Sequence, residues 1–545
     1  MRLYQRIRPS IGRSAMSTAG ALLFASGIAV SASGQILPAQ TPVLQTQAPP
    51  VGVTTAPVPP LRQAAAPQGT PLSLDEAVKM ALENNLGIQI EKLNPQIQVY
   101  GVSRARGAYA PALVSGFSRR SSTAPPTDFN TSGAGDAIST NSNFSSSGGL
   151  QQQTKWGGNY SLVFDGSKAT SNAINSVFNP QLGSGLNANI NQPLLRNFKI
   201  DGLRLALFQA KNQLQVADLQ LQQRITQTGR NARAAYYQLV GALAGLEVAQ
   251  GSLELSRQQL KNNETRVEVG TMAPIDIVAA KAEVASNEEN VIIWQSNIEG
   301  AQDQLRAIVM NPSQPGFWNA RFAPSEQPVL APKAIDIDAA IKNALANRTD
   351  ILEFKKGMEV TDVTLKYAAN QKLPAVDLNA RYGLTGIAGT QLLEDRVSVA
   401  TRTFGDALRD VFANDFKTWS FAINVSYPIG TSTADAAYAQ ARLQKQQEQT
   451  TLANLELAVT QSVRDAGRRV NTNLKRVEAT KKAREFAEER LAADEKRFTV
   501  GLATTFELVQ AQRDLARARQ SELNATIDYN QSLVDFEAVQ IAPIR

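Results

Sequence analysis

The chain has 545 residues, a formal net charge of +7, and neither cysteine nor histidine. Those absences exclude thiol nucleophiles, disulfides, imidazole bases and the usual transition-metal ligands. Arg2, Arg6, Arg8 and Arg13 lie in an acid-free stretch of 34 residues, so +7 less these 4 leaves +3 for the remainder, which excludes a nucleic-acid footprint.

Residues 1–34 read as a secretory signal peptide: the arginines precede an apolar run over residues 15–30, and small residues follow. That run is shorter than the roughly 20 residues a helical span requires. No other segment carries a comparable apolar run, so no transmembrane helix is expected beyond it. Residues 35–70 are rich in Pro, Ala and Gln and almost uncharged. They offer little to bury and predict a disordered or polyproline linker.

A first structural unit over residues 71–311 opens with LSLDEAVKMALENN (72–85), a helix that Ser73 or Asp75 can cap. After Pro111 the period changes from helical to alternating, as in ALVSGFSRRSS from Ala112, and a second alternating run, GLNANINQP, ends at Pro193. The polar, glycine-rich stretch 121–149 between them reads as a loop. A further alternating run, KWGGNYSLVFDG (155–166), fits either a longer strand or an added hairpin. From residue 196 to about 267 the pattern is helical and proline-free, a length of about 100 Å at about 1.5 Å per residue. It ends in RVEVGTMAPIDIVAAKAEV (266–284), where Gly270 permits a bend and Pro274 restarts a helix.

Residues 312–334 break the helical pattern and separate the halves. The second unit, 335–545, repeats the order. IDIDAAIKNALANR (335–348) matches 72–85, and AVDLNARYGLTG begins at Ala375. A polar loop follows over 387–415, then SFAINVSYP ending at Pro428, then a helix over 434–498. The second bend is RFTVGLATTFELVQAQRDL (497–515). At an offset of 231, Arg266 falls on Arg497, Gly270 on Gly501 and Asp276 on Glu507. Leu239, Leu246, Leu253, Leu260 and Val267 likewise fall on Val470, Val477, Arg484, Leu491 and Phe498. Seven-residue spacing is a coiled-coil seam. The reading is an internal two-fold repeat, mainly α, of long antiparallel helical hairpins with about four strands of membrane-crossing length per chain. Open strand edges cannot persist in lipid, so such strands either lie outside a membrane or are pooled by several chains into one closed barrel. The repeat and the long helices favour pooling, with the helices continuing the barrel as an α-helical tube.

Taken together, LSLDEAVKMALENN, two strands, QPLLRN and RVEVGTMAPIDIVAA, then the same order ending in RFTVGLATTFELVQAQ, resemble the TolC-type outer-membrane efflux channel family over residues 72–539. The resemblance implies a homotrimer with a twelve-stranded β-barrel in outer-membrane lipid of a Gram-negative-type bacterium and an α-barrel in the periplasm. It implies a passive channel of a tripartite efflux or type I secretion system, without cofactors. A periplasmic adaptor (membrane fusion protein) and an inner-membrane pump are the implied partners. The missing cysteine places the chain with unlipidated members. The alternative is a periplasmic coiled-coil adaptor or scaffold, which would carry one hairpin beside compact β domains. No enzyme is expected, since only a carboxylate pair remains for chemistry.

The resemblance also implies a periplasmic constriction. Glu507 matches one acidic gate position, Gln510 stands where some members carry a second acid, and Asp276 matches an acid that helps hold the closed state. Phe498 occupies an often aromatic position, and Arg497 is a base able to offset the acids. Val269, Gly270, Thr271, Val500, Gly501 and Leu502 are the expected adaptor-contact tips. The residues alone also admit a plainer reading: Thr504-x-x-Glu507 is a capping box, and Asp276 suits the first turn of a helix. Arg484 reads either as lumen-facing or as a seam-edge arginine, and residues 481–490 as a solvated helix face.

Overall fold

A computed structural model describes residues 69–125, 138–173, 176–326, 332–392, 397–430 and 432–540. The signal peptide expected over 1–34 lies outside the described residues, as does nearly all of the expected linker. Thr70, at the end of that linker, already opens a strand. The described residues belong to one compact unit, residues 65–545.

Strand β1 (Thr70–Leu72) leads into α1 (Leu74–Asn84), whose cap is Ser73: its Oγ accepts the Glu76 N–H at 3.2 Å. A second helix, α2 (Leu86–Gly107), follows at once, with the Asn85 side chain accepting from the Gly87 and Ile88 N–H groups. Strands β2 (Ala112–Ala124), β3 (Ser139–Gln153), β4 (Asn159–Ser171) and β5 (Phe178–Pro193) come next. Then come the long α3 (Gly202–Glu268) and α4 (Ile275–Val309), with β6 (Phe322–Pro324) after them. The second half runs α5 (Ile337–Asn347), α6 (Thr349–Gln371), β7 (Ala375–Leu392), β8 (Ser398–Arg402), α7 (Phe404–Ala413), β9 (Phe416–Ser426), α8 (Thr433–Thr499) and α9 (Thr505–Gln540).

Helices α3 and α8 have 67 residues each, about 100 Å apiece. Their hairpin partners, α4 and α9, have 35 and 36 residues and cover half that length. The other half of each packs against α2 or α6, of 22 and 23 residues. Short helices thus stack end to end along a long one, and each joint is hydrogen-bonded. Asn84 and Asn85 donate to the Val309 and Ile308 carbonyls at the end of α4 (3.2 and 3.4 Å). Arg348 donates to the Val539 carbonyl near the end of α9 (3.1 Å). Last-turn carbonyls that a helix cannot satisfy internally are capped this way. Helices α2 and α6 were not distinguished in the sequence, because their apolar residues do not form one stripe: α2 exposes Ile90, Leu93 and Ile97 while burying Ile88 and Val102.

The heptad rows become cores. Leu239 and Leu253 are buried on α3, and Val470, Val477, Leu491 and Phe498 on α8. At the row's one break, Arg484 is a seam-edge residue, bonding to Glu488 on its own helix (2.7 Å) and to Glu522 on α9. The segment between the halves is not structureless. It holds a 3₁₀ turn at Phe317–Asn319 and then β6, which pairs in parallel with β1, Thr70 opposite Phe322. Leu72, Tyr236, Leu239, Leu305, Val309 and Phe322 pack together beside that pairing.

The remaining seven strands form one sheet, ordered β2-β3-β4-β5-β7-β8, with β9 also paired to β7. The expected count of about four strands is therefore too low. The four expected strands are β2, β5, β7 and β9, and three more join them. The stretch 121–149, expected as a loop, holds most of β3; its Ser, Asn and Gly residues have low strand propensity, so cross-strand pairing and not local preference makes it a strand. The run 155–166 resolves as β4, the second arm of an added hairpin between β2 and β5. Among the described residues no helix is long and apolar enough to cross a membrane, a statement that leaves strands aside.

Candidate functional site at the hairpin tips

Both long helices end in the same hydrogen-bonded bend. At the first, Gly270 takes φ 77° and its N–H bonds to the Val267 carbonyl, while the Thr271 N–H reaches the Arg266 carbonyl at 2.9 Å. At the second, Gly501 takes φ 78°, its N–H bonds to Phe498, and Leu502 N–H reaches Arg497 at 2.8 Å. Paired 5→2 and 6→1 bonds of this kind satisfy the last carbonyls and require a left-handed residue, which glycine supplies. Val269, Val500 and Leu502 stand exposed at these bends.

The chain then restarts differently. Ile275 begins α4 after Pro274 with no side-chain cap, and Asp276 occupies the first turn, half-buried. Among the described residues no ion pair engages Asp276. On α9, Glu507 closes the expected capping box. Its carboxylate accepts the Thr504 N–H at 2.7 Å and the Thr504 hydroxyl at 3.1 Å, and Thr504 Oγ1 accepts the Glu507 N–H at 3.2 Å. The Thr504 N–H, then its hydroxyl, and the Arg497 charge beyond them hold the Glu507 carboxyl below its ordinary range. Gln510, one turn on, donates to Asp514 at 2.9 Å, and Asp514 also takes Arg490 at 3.1 Å.

Two of the gate candidates are engaged within the tips. The Phe498 ring is 6 % exposed and packs with Leu491, Leu508, Ala511 and Leu515. The Arg266 guanidinium lies over it, 4.4 Å from the ring centre, and donates to the Phe498 carbonyl at 3.4 Å. Phe498 is thus a core residue that fastens one tip to the other, and it does not face open space, contrary to its expected place at a constriction. Arg497 is paired with Asp494 at 3.3 Å. Among the described residues no hydrogen bond or ion pair joins Asp276 to Glu507 or Gln510.

Sequence reasoning missed the tie above the tips. Arg513 on α9 grips Glu283 on α4 through two nitrogens, Nε at 3.0 Å, and the Glu283 side chain is buried. The glutamate raises the Arg513 pKa further above its ordinary value by accepting its hydrogen bonds. The partners are 230 residues apart, so no local spacing marks them. The only available hint was a charged residue at a helix position otherwise flanked by apolar ones.

Comparison with known proteins bears on what such tips serve. The family model described as outer membrane efflux protein matches residues 161–309 and 340–539. The chain is 25% identical over 299 residues to outer membrane protein TolC of Escherichia coli (strain K12), covering 55% of this chain and 58% of that protein. It is 24% identical over 321 residues to outer membrane protein TolC of Vibrio cholerae serotype O1, covering 57% and 67%. The match thus spans about 58% of the first relative's length. In fold, the chain is similar to the solved structure of CusC, with TM-score 0.60 at 16% identity over 90% of this chain and 98% of that one. It is also similar to the open state of the Neisseria gonorrhoeae MtrE outer membrane channel, with TM-score 0.57 at 16% identity over 86% and 88%.

Proposed function

Because this chain belongs to the outer membrane efflux protein family, we propose that it is the outer-membrane channel of a tripartite efflux or type I secretion system. Three copies pool their strands into a barrel in the outer membrane, and the long hairpins, written twice along the chain, form a periplasmic α-barrel. The tube is passive. An inner-membrane pump drives the traffic, and a periplasmic adaptor meets the tips at Val269–Thr271 and Val500–Leu502.

One observation carries this reading. Among the described residues the outer strands of the sheet are β2 on one side and, along β7 on the other, β9 and the short β8, and every residue of β9 is exposed. Unpaired backbone edges cannot sit in hydrocarbon, and among the described residues no strand covers β2 or β9 on its outer side. An antiparallel seam between β2 of one copy and β9 of the next satisfies both. An adaptor, which stays in water, has no use for such a sheet.

At the tips, Asp276, Glu507 and Gln510 are the residues proposed to ring the neck, three copies of each around the axis. Carboxylates crowded there favour cations and repel one another. Native mass spectrometry in mild detergent tests the assembly: a trimer is expected, and a folded monomer alone overturns the channel reading. Planar-bilayer recordings test the neck. The D276A/E507A double variant is expected to raise basal current or lower cation selectivity; unchanged current with lower stability assigns these acids to helix capping only.

A further inference from the structure

The added hairpin carries an inference that rests on the trimeric-barrel reading and goes beyond it. We propose that each chain contributes six full-height strands to the shared barrel, so that three copies of six close 18 strands instead of twelve and widen the outer-membrane exit.

Full height is the first point. β3 pairs with β2 along its whole length, from Ala112 opposite Gln151 to Ala124 opposite Ser139. β4 pairs with β5 starting at Asn159 opposite Asn191. The turn between β3 and β4 therefore lies level with the first residue of β2 and the last residues of β5, at the end of the sheet nearest the long helices. It is fixed there: Gly157 at φ 82° leaves no room for a Cβ against the Asn197 carbonyl, and Gln192 donates to the Trp156 carbonyl at 3.0 Å. A hairpin that merely extended a surface loop would begin partway up the sheet.

Two-faced patterning is the second point. Residues directly opposite one another across a sheet share a face. One such row crosses all six strands: Leu113, Leu150, Leu162, Ala188, Tyr382 and Trp419. Five of the six are large apolar residues, all more than a third exposed, with Leu113 at 84% and Trp419 at 72%. The next row along the strands, on the opposite face, is Ala112, Gln151, Ser161, Asn189, Arg381 and Ser420. Apolar outside and polar inside is the pattern of a membrane barrel wall, and at the level of Leu150 and Leu162 the inserted strands keep it in step with their neighbours. The polar face is also continuous across the junction. Asn187 on β5 donates to Asp165 on β4 at 2.7 Å and accepts from Arg381 on β7 at 2.9 Å.

Adding a hairpin adds two strands, so the antiparallel alternation from β2 to β5 survives with or without it. Barrel diameter grows roughly linearly with strand number, so the step from twelve to 18 widens the barrel about 1.5-fold and its cross-section about twofold. Such an exit leaves selection to the periplasmic neck and passes bulkier substrates through the membrane.

Because the chain has no cysteine, single cysteines report cleanly. In isolated outer membranes, S147C and D165C should react with a hydrophilic maleimide, while L150C and L162C should be protected. Equal labelling of both sets places the hairpin in water, and equal protection places it in a plug; either overturns the proposal. Electron microscopy of purified trimers supplies the second readout: deleting residues 138–173 should narrow the barrel from 18 strands to twelve. A trimer whose barrel width is unchanged by the deletion overturns the six-strand contribution. A parent protein that forms no trimer, yet labels on alternate residues of β3 and β4, overturns the threefold assembly instead.

Discussion

At the first tip Pro274 precedes a helix with no side-chain cap, whereas at the second Thr504 and Glu507 lock the helix start through three hydrogen bonds. The bends themselves match bond for bond. Twin arginines, however, do different work: Arg266 reaches across to cover Phe498, and Arg497 stays on its own helix with Asp494. The second tip holds the core residues, and the first supplies the lid over them. Sequence identity at a bend therefore sets its backbone, while its partners across the interface set how firmly it is held.

Substitutions can sharpen that contrast. Truncating the buried ring in F498A should cost about 3 kcal/mol, whereas V267A, its half-buried twin, should cost about 1 kcal/mol; thermal melts followed by helical circular dichroism measure both. Equal losses would mean that the two tips are interchangeable. R513A leaves the Glu283 carboxylate buried without its cation and should cost about 2 kcal/mol, less than a fully buried pair because Arg513 is half exposed. The E283Q/R513A double variant should recover part of that loss in the same melts.

The capping box should be worth less. T504A is expected to cost about 1 kcal/mol. It also has a pH signature that E507Q shares. A carboxyl held below its unfolded value contributes fully above that value, and the contribution is lost as pH falls through the lowered folded value. For Glu507 the window therefore lies below the ordinary pKa of 4.5. Wild-type protein should lose melting temperature there more steeply than E507Q does. Smallest of all should be the arginine pair. R266A removes a cation over a ring and should cost about 0.5–1 kcal/mol, while R497A, whose exposed pair contributes little, should stay below about 0.5 kcal/mol. Reversal of that order would place the tie between the tips elsewhere.

Much of this architecture was written in the local sequence. Helical periodicity, a glycine at each bend and a heptad row before it marked both hairpins, because each signal acts through residues within a turn or two of one another. The order of strands around Pro193 and Pro428 was legible for the same reason, since alternation is a property of neighbours. The tertiary structure decided the rest. β3 is a strand only because β2 and β4 flank it: its Ser, Asn and Gly residues state no preference alone, and two apolar residues, Phe144 and Leu150, among 15 are too faint an alternation. Phe498 was marked as a seam residue by its heptad row, but only the fold brings Arg266, from a bend 232 residues earlier, over its ring. Arg513 meets Glu283, and Arg348 caps α9, for the same reason. Such contacts join residues hundreds of positions apart, and their partners are chosen by packing alone.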